Sequence, residues 1–237
     1  MVGRTGRHCH AVTRGHNRPA RPWPAVDPRR LRTLGAVEGT SYVSVDVLLL
    51  RYDQGTRRLL LGLHDRTVDP FAGWPALPGV LLHRGERIRA AIGRALAKVG
   101  LRPLGSGQLV TFDEPNRDPR GPTLSVATWA VGTEVGTASW APPENLPPLA
   151  FDHERIVADC RPLLAGMLWR EIGFTRLLTG DEFTVTDAVA LHTALTGTPP
   201  DRGNLNRTLA GLPGLTRTDR LASAGRGRPG TVWAWTP

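Results

Sequence analysis

Between residues 42 and 131 the hydrophobic period changes twice, and this limits the folds open to the chain. Tyr42-Val43-Ser44-Val45-Asp46-Val47-Leu48-Leu49-Leu50 reads as a strand whose second half is apolar on both faces. A turn at Asp53-Gln54-Gly55 leads to a second strand over 58–63. After Pro- and Gly-rich chain, Ile88, Ala91, Ile92, Ala95, Leu96 and Val99 recur at helical spacing. A helix with one apolar face is therefore expected over 86–99, stopped by Gly100. Strands are expected again over 108–112 and 124–131. Two strands, a helix and two more strands, each with apolar surface to bury, is the order of an α/β sandwich.

Beyond Asp152 the pattern is helical. A helix is expected over 153–169, with Ile156, Leu163, Leu164, Met167 and Leu168 among its apolar positions. Phe183-Thr184-Val185-Thr186 leads into a second helix, capped by Thr184 or Thr186 and running to 195. The turn Gly197-Thr198-Pro199-Pro200-Asp201 precedes a third helix over 202–212. Short strands at 215–217 and 231–235 then flank a Gly/Arg loop. Helix, turn, helix and hairpin make a winged helix-turn-helix, which sets one helix into a DNA major groove.

The chain has 237 residues, enough for one large domain or two small ones. Its apolar runs are strand-sized, too short to span a bilayer, and no secretory segment is recognised, so the cytoplasm is the expected compartment. Cys9 and Cys160 lie far apart with no ligand-like spacing, which argues against a disulfide framework or a zinc site. The net charge of +9 is largely a property of the first 32 residues, which hold eight arginines and one aspartate. Residues 1–38 lack apolar periodicity and are expected to be a disordered basic tail, either adding non-specific nucleic-acid affinity or inert. A second basic patch lies in 202–237, where six arginines face Asp219 alone.

Leu77-Pro78-Gly79-Val80-Leu81-Leu82-His83-Arg84-Gly85-Glu86 resembles the entrance of the Nudix box, G-x5-E-x7-R-E-U-x-E-E-x-G-U with U aliphatic. Glu86 and Arg94 stand at the family positions, and Asp69-Pro70-Phe71-Ala72-Gly73-Trp74-Pro75-Ala76 matches the chain before the box. The leading Gly is Val80, the Glu after the Arg is Ala95, and the Glu-Glu pair is Lys98 and Val99. The closing Gly100-Leu101 comes one residue early. The resemblance implies a Nudix-type α/β/α sandwich with a mixed sheet. In that family the helical carboxylates hold Mg²⁺ or Mn²⁺ against a pyrophosphate. Hard divalent cations need several oxygen ligands, which Glu86 alone does not supply, so no cofactor and no hydrolysis of the usual kind are expected. If hydrolysis persists, Glu86 is the catalytic and metal-binding candidate, with Asp113, Glu114 and Asp118 as further donors.

Arg87, Arg94 and Lys98 are spaced as one polar stripe of the helix and are candidates for direct contact with a diphosphate, or a solvated face. Phe112-Asp113-Glu114-Pro115-Asn116-Arg117-Asp118-Pro119-Arg120-Gly121 resembles the loop of Nudix proteins that recognise ADP-ribose. The resemblance implies that Arg117 and Arg120 hold phosphate or ribose oxygens, with Asp118 orienting Arg117.

Leu149-Ala150-Phe151-Asp152-His153, Phe183-Thr184-Val185-Thr186, Asp201 to Arg207 and Gly227-Arg228-Pro229-Gly230 resemble the Nudix-related transcriptional regulators of NAD metabolism. Arg202, Asn204, Asn206 and Arg207 open the third helix and suit base edges, while Arg226 and Arg228 suit phosphates. His153 matches the linker motif and is given no chemistry. The units implied are a Nudix-like domain over 39–148, a linker helix region over 149–180 and a winged helix over 181–237. The expected partners are an ADP-ribose-like nucleotide, double-stranded DNA and a second copy of the chain, with no membrane. The expected function is a nucleotide-diphosphate-sensing, DNA-binding regulator; the alternative is a Nudix pyrophosphatase.

Overall fold

The computed structural model describes residues 40–133, 136–221 and 231–236. The tail over 1–38, Cys9, Arg226 and Arg228 lie outside these residues. In chain order the elements are β1 (Tyr42–Asp53), β2 (Arg58–Asp65), β3 (Pro75–Ala76), β4 (Gly79–Leu81), α1 (Ile88–Ala97), β5 (Pro103–Phe112), β6 (Thr123–Gly132) and β7 (Ser139–Ala141). They continue as α2 (His153–Met167), α3 (Ile172–Thr179), β8 (Glu182–Thr184), α4 (Val185–Thr196), α5 (Arg202–Ala210), β9 (Leu215–Leu221) and β10 (Thr231–Trp235).

Strand β1 organises the larger sheet. It runs parallel to β6 and antiparallel to β2 and β4, in the order β3-β2-β1-β6-β5, with β7 on β2. The sheet is mixed, as the Nudix resemblance implies. Because strand side chains alternate between faces, β1 serves two cores. Val45, Val47 and Leu49 pack with Ala91, Ile92, Ala95 and Leu96 of α1 on one side. Leu48, Leu50 and Tyr52 face the other side, where Ile156, Cys160 and Leu164 of α2 meet them. Helices therefore cover both faces.

The second core continues into the C-terminal elements. Phe174 and Leu178 of α3, Leu191 of α4, Leu205 of α5, and Trp233 and Trp235 of β10 belong to it. Strands β8, β10 and β9 form a separate antiparallel sheet beside α4 and α5. Polar contacts join this part to the β1–β2 hairpin. Tyr52 Oη donates to Asp187 Oδ1 at 3.0 Å, and Gln54 Nε2 donates to the carbonyls of Thr179 (2.7 Å) and Glu182 (2.8 Å). Asp187 also completes the cap of α4, taking the Thr184 N–H while the Thr184 hydroxyl takes its own.

Several elements differ from their sequence expectations. Strand β5 starts at Pro103, not 108, because it is an edge strand whose Gly105 and Gly107 admit other side chains. A Cβ on Gly107 would lie 2.6 Å from Trp129 Nε1, and one on Gly105 would lie 2.3 Å from Leu177 Cδ1. Helix α1 starts at Ile88 because Arg87 is extended, so Glu86 precedes the helix. Helix α3 was not expected; Trp169, with φ of 65°, turns the chain out of α2, and its N–H donates to Thr175 Oγ1. Among the described residues no helix is long and apolar enough to cross a membrane.

Candidate functional site

The cleft forms where β1, β4, the 117–120 loop and the start of α2 meet, and its volume is about 120 Å³. That is below the roughly 300–1,000 Å³ of pockets that enclose a whole small molecule, so it suits one charged part of a larger ligand. At its base Asp46 is 5% exposed. Its Oδ2 accepts from Ser44 Oγ (2.8 Å) and Ser125 Oγ (2.5 Å), which compensates the burial of a charge. Arg117 Nη2 and His153 Nε2 stand 3.8 and 3.7 Å from the two Asp46 oxygens.

Gly79 lies across from Asp46 in the β1–β4 register, and a Cβ there would approach Asp46 Oδ1 to 2.2 Å. Gly79→Ala is expected to lower stability by about 1–3 kcal/mol, the usual range for overpacking, as urea denaturation would measure. An unchanged midpoint would show that the strand shifts freely.

Arg117 is held twice by Asp152, through Nε at 3.0 Å and Nη2 at 2.6 Å. The resemblance implied that Asp118 orients Arg117; instead Asp118 pairs with Arg120, whose Nη2 lies 2.6 Å away. The pairing reverses because Asp118 Oδ1 also takes the Arg120 backbone N–H at 2.9 Å, closing a local turn that turns Asp118 toward Arg120.

His153 is buried, and Leu77 donates its N–H to Nδ1 at 3.0 Å. The ring proton therefore belongs on Nε2, toward Asp46. Burial lowers the His153 pKa, so the ring stays neutral where a free histidine titrates. With one nitrogen occupied and the other carrying its proton, His153 is not a ready general base. Its contribution to stability is present above the unfolded-state pKa and is lost as pH falls through the lower folded value.

The rim is cationic. Arg66 lines the cleft, its Nε donating to the Pro70 carbonyl at 2.8 Å. Its guanidinium carbon lies 4.6 Å from the Phe151 ring centroid, and that of Arg120 lies 5.5 Å away. Phe151 has φ of 56°, a rare conformation for a bulky residue, and packs on Phe71 at 4.8 Å. Lys98 Nζ donates to the Gly79 carbonyl at 2.6 Å. Burial and then Arg66 depress the Lys98 pKa, while burial and then Arg120 depress that of Arg66. Mutual repulsion of this kind is relieved by a bound anion.

Of the sequence candidates, Lys98, Arg117, Asp118 and Arg120 line the cleft, and Arg87, Arg94 and Glu86 do not. Glu86 takes Arg94 Nε and Nη2, both at 2.7 Å, and the His83 N–H at 2.9 Å. Asp113 is exposed, and Glu114 pairs with Arg155 of α2. Among the described residues no three His, Cys, Asp or Glu side chains are placed to share an ion. These residues do not fit Mg²⁺ or Mn²⁺, which need several oxygen ligands together. The helix offers Ala95, Lys98 and buried Val99 where carboxylates would be required.

Hydrogen bonds from Arg94 and then from the His83 backbone pull the Glu86 carboxyl down to about 2. The depressed value means the pair favours folding above the unfolded-state pKa, and this is lost as pH falls through about 2. A carboxyl NMR titration should find a Glu86 midpoint near that value, returning to the ordinary range in Arg94→Met. An ordinary midpoint in both proteins would mean that the pair does not form.

Sequence reasoning missed Asp46, Arg66 and Phe151. Asp46 carried a signal, an acid inside an apolar strand; Arg66 had none, since its place depends on the turn over 66–74. On α5, Arg202, Asn204, Asn206 and Arg207 are all exposed while Leu205 and Leu209 face the core. Asn204 Oδ1 accepts from Arg207 Nη2, and Asn206 Nδ2 donates to the Arg202 carbonyl.

No family model matches the chain. Over 103 residues, 40% of its length, it is 35% identical to an ADP-ribose pyrophosphatase of Methanocaldococcus jannaschii. The chain spans 61% of the length of that curated relative. The structure of Shewanella oneidensis NrtR complexed with a 27mer DNA matches at TM-score 0.66 and 26% identity, over 82% of this chain and 93% of that one. Shewanella oneidensis NrtR by itself matches at 0.64 and 26%, over 82% and 94%. A MutT/nudix family protein from Enterococcus faecalis shares the fold at 0.62 and 21%, over 84% and 90%. The chain has a Nudix-like fold with a mixed sheet. Over most of its length it is similar to NrtR, a Nudix-related regulator.

Proposed function

We propose that this chain is a DNA-binding regulator that senses ADP-ribose or a related nucleotide diphosphate and does not hydrolyse it. In this reading residues 39–148 form the sensing unit, 149–180 connect, and 181–237 form a winged helix. Arg202, Asn204, Asn206 and Arg207 face DNA from α5, Arg226 and Arg228 reach phosphates from the wing, and a cytoplasmic homodimer reads two half-sites. The ligand's diphosphate meets Lys98, Arg66 and Arg120, while Arg117, bonded to Asp152, and Asp118, bonded to Arg120, hold the loop that presents them.

The observation that carries the reading is the Glu86–Arg94 pair, which occupies the box carboxylate outside a cleft rimmed by cations. Likeness to NrtR supports the DNA side, since that protein was solved with a 27mer DNA. A ligand alters DNA binding only through different affinities for two arrangements. Strand β1 offers a route, with Asp46 at the cleft and Tyr52 on Asp187 at the cap of α4. Fluorescence anisotropy with DNA from the region upstream of the chain's own gene should show a complex at low salt, altered by ADP-ribose. Absence of any complex would refute the regulator.

The archaeal relative favours a second reading, a pyrophosphatase acting on ADP-ribose. Release of AMP in Mg²⁺ or Mn²⁺, abolished by Glu86→Gln, would establish it.

A further inference from the structure

We infer that the Lys98 ammonium stands where a divalent ion would serve a Nudix enzyme, so that this cleft binds a diphosphate with no metal between ligand and protein. The inference rests on the nucleotide-diphosphate reading of the same cleft. Lys98 replaces the first Glu of the box's Glu-Glu pair, and the end of α1 carries it to the cleft. One of its three N–H donors is fixed on the Gly79 carbonyl at 2.6 Å, which leaves two for a ligand. Gly79 is also the residue whose missing Cβ admits Asp46 Oδ1, so the cation and the buried carboxylate flank one glycine.

Among the described residues no carboxylate forms an ion pair with Lys98, whereas Arg94 is closed on Glu86 and Arg117 on Asp152. Its charge is thus uncommitted, and Arg66 and the Asp118-paired Arg120 line the same cleft. Of the carboxylates that line the cleft, Asp46 accepts from Ser44 and Ser125 and Asp118 is paired with Arg120, so a divalent cation entering here meets positive groups and, among the described residues, no cluster of three ligands. A diphosphate would meet preset donors instead, and charge-assisted hydrogen bonds are among the stronger ones.

Calorimetric titration with ADP-ribose, once in EDTA and once in Mg²⁺, tests the inference, with inorganic pyrophosphate as a second probe. Wild-type affinity should agree within about twofold between the two buffers, and Lys98→Met should weaken binding in EDTA by about tenfold or more. Arg89→Met, exposed on the same helix away from the cleft, should bind as wild type. Wild-type binding that requires Mg²⁺, or Lys98→Met binding as wild type in EDTA, would overturn the inference. Metal-free pyrophosphate binding through Lys98, without ADP-ribose binding, would uphold the lysine and sink the nucleotide reading. Binding of neither probe would overturn both.

Discussion

Replacing Arg117 by Met is expected to destabilise the protein by roughly 3–5 kcal/mol, the usual cost of removing one partner from a buried ion pair. The Arg117 side chain is 4% exposed and bonds both oxygens of Asp152, at 3.0 and 2.6 Å. Met fills much the same space but leaves the Asp152 carboxylate, 13% exposed, without its counter-charge. The loop that presents Asp118 and Arg120 loses its anchor to α2 in the same step. Arg117→Lys should recover only part of the loss, because a single ammonium does not reproduce the two-pronged bond. Urea denaturation with intrinsic tryptophan fluorescence reads both variants. A Met variant within about 1 kcal/mol of wild type would place Arg117 among weakly contributing surface pairs.

Asp187→Ala should have the second largest effect, on the order of 3 kcal/mol. A lost helix cap accounts for about 1 kcal/mol, and a lost hydrogen bond to a buried charge for about 1.5–3 kcal/mol. The Asp187 carboxylate takes the Thr184 N–H at 2.8 Å and Tyr52 Oη at 3.0 Å. Burial, and next the Asp187 charge, raise the Tyr52 pKa, so the phenol stays protonated as the donor throughout the ordinary pH range. Tyr52→Phe removes only the bond between the hairpin and α4, and should cost about 1–2 kcal/mol. Hydrogen exchange should place the loss in the first turn of α4 for Asp187→Ala. Uniform acceleration across the sheet would contradict this division.

The parts legible in the sequence are those where local period and tertiary burial agree. Val45, Val47 and Leu49 against Leu48 and Leu50 gave β1 two buried faces, and the 88–99 stripe gave α1. Residue types narrowed the cap of α4 to Thr184 or Thr186, and the packed chain uses Thr184. Polar and glycine-rich segments concealed the rest. Four of the five residues of β5 over 103–107 are glycine, serine or proline, and Trp129 and Leu177 occupy the space that side chains at Gly107 and Gly105 would fill.

The cleft was half visible. Lys98 was legible from its spacing with Arg87 and Arg94 and Arg120 from the resemblance of its loop, but the helix stripe was divided by partners no period reveals. Arg94 is drawn to Glu86 because the helix begins two residues later than its pattern suggests. Arg117 finds Asp152 across 35 residues of sequence, while Asp118 finds Arg120 two residues on. Spacing does not distinguish a local partner from a distant one; the packed loop does.

Phosphorus NMR of ADP-ribose mixed with the protein in Mg²⁺ tests the central claim most directly. The account predicts diphosphate resonances that shift or broaden with protein concentration and then persist unchanged, with no new signal. Growth of the AMP and ribose 5-phosphate resonances would contradict it.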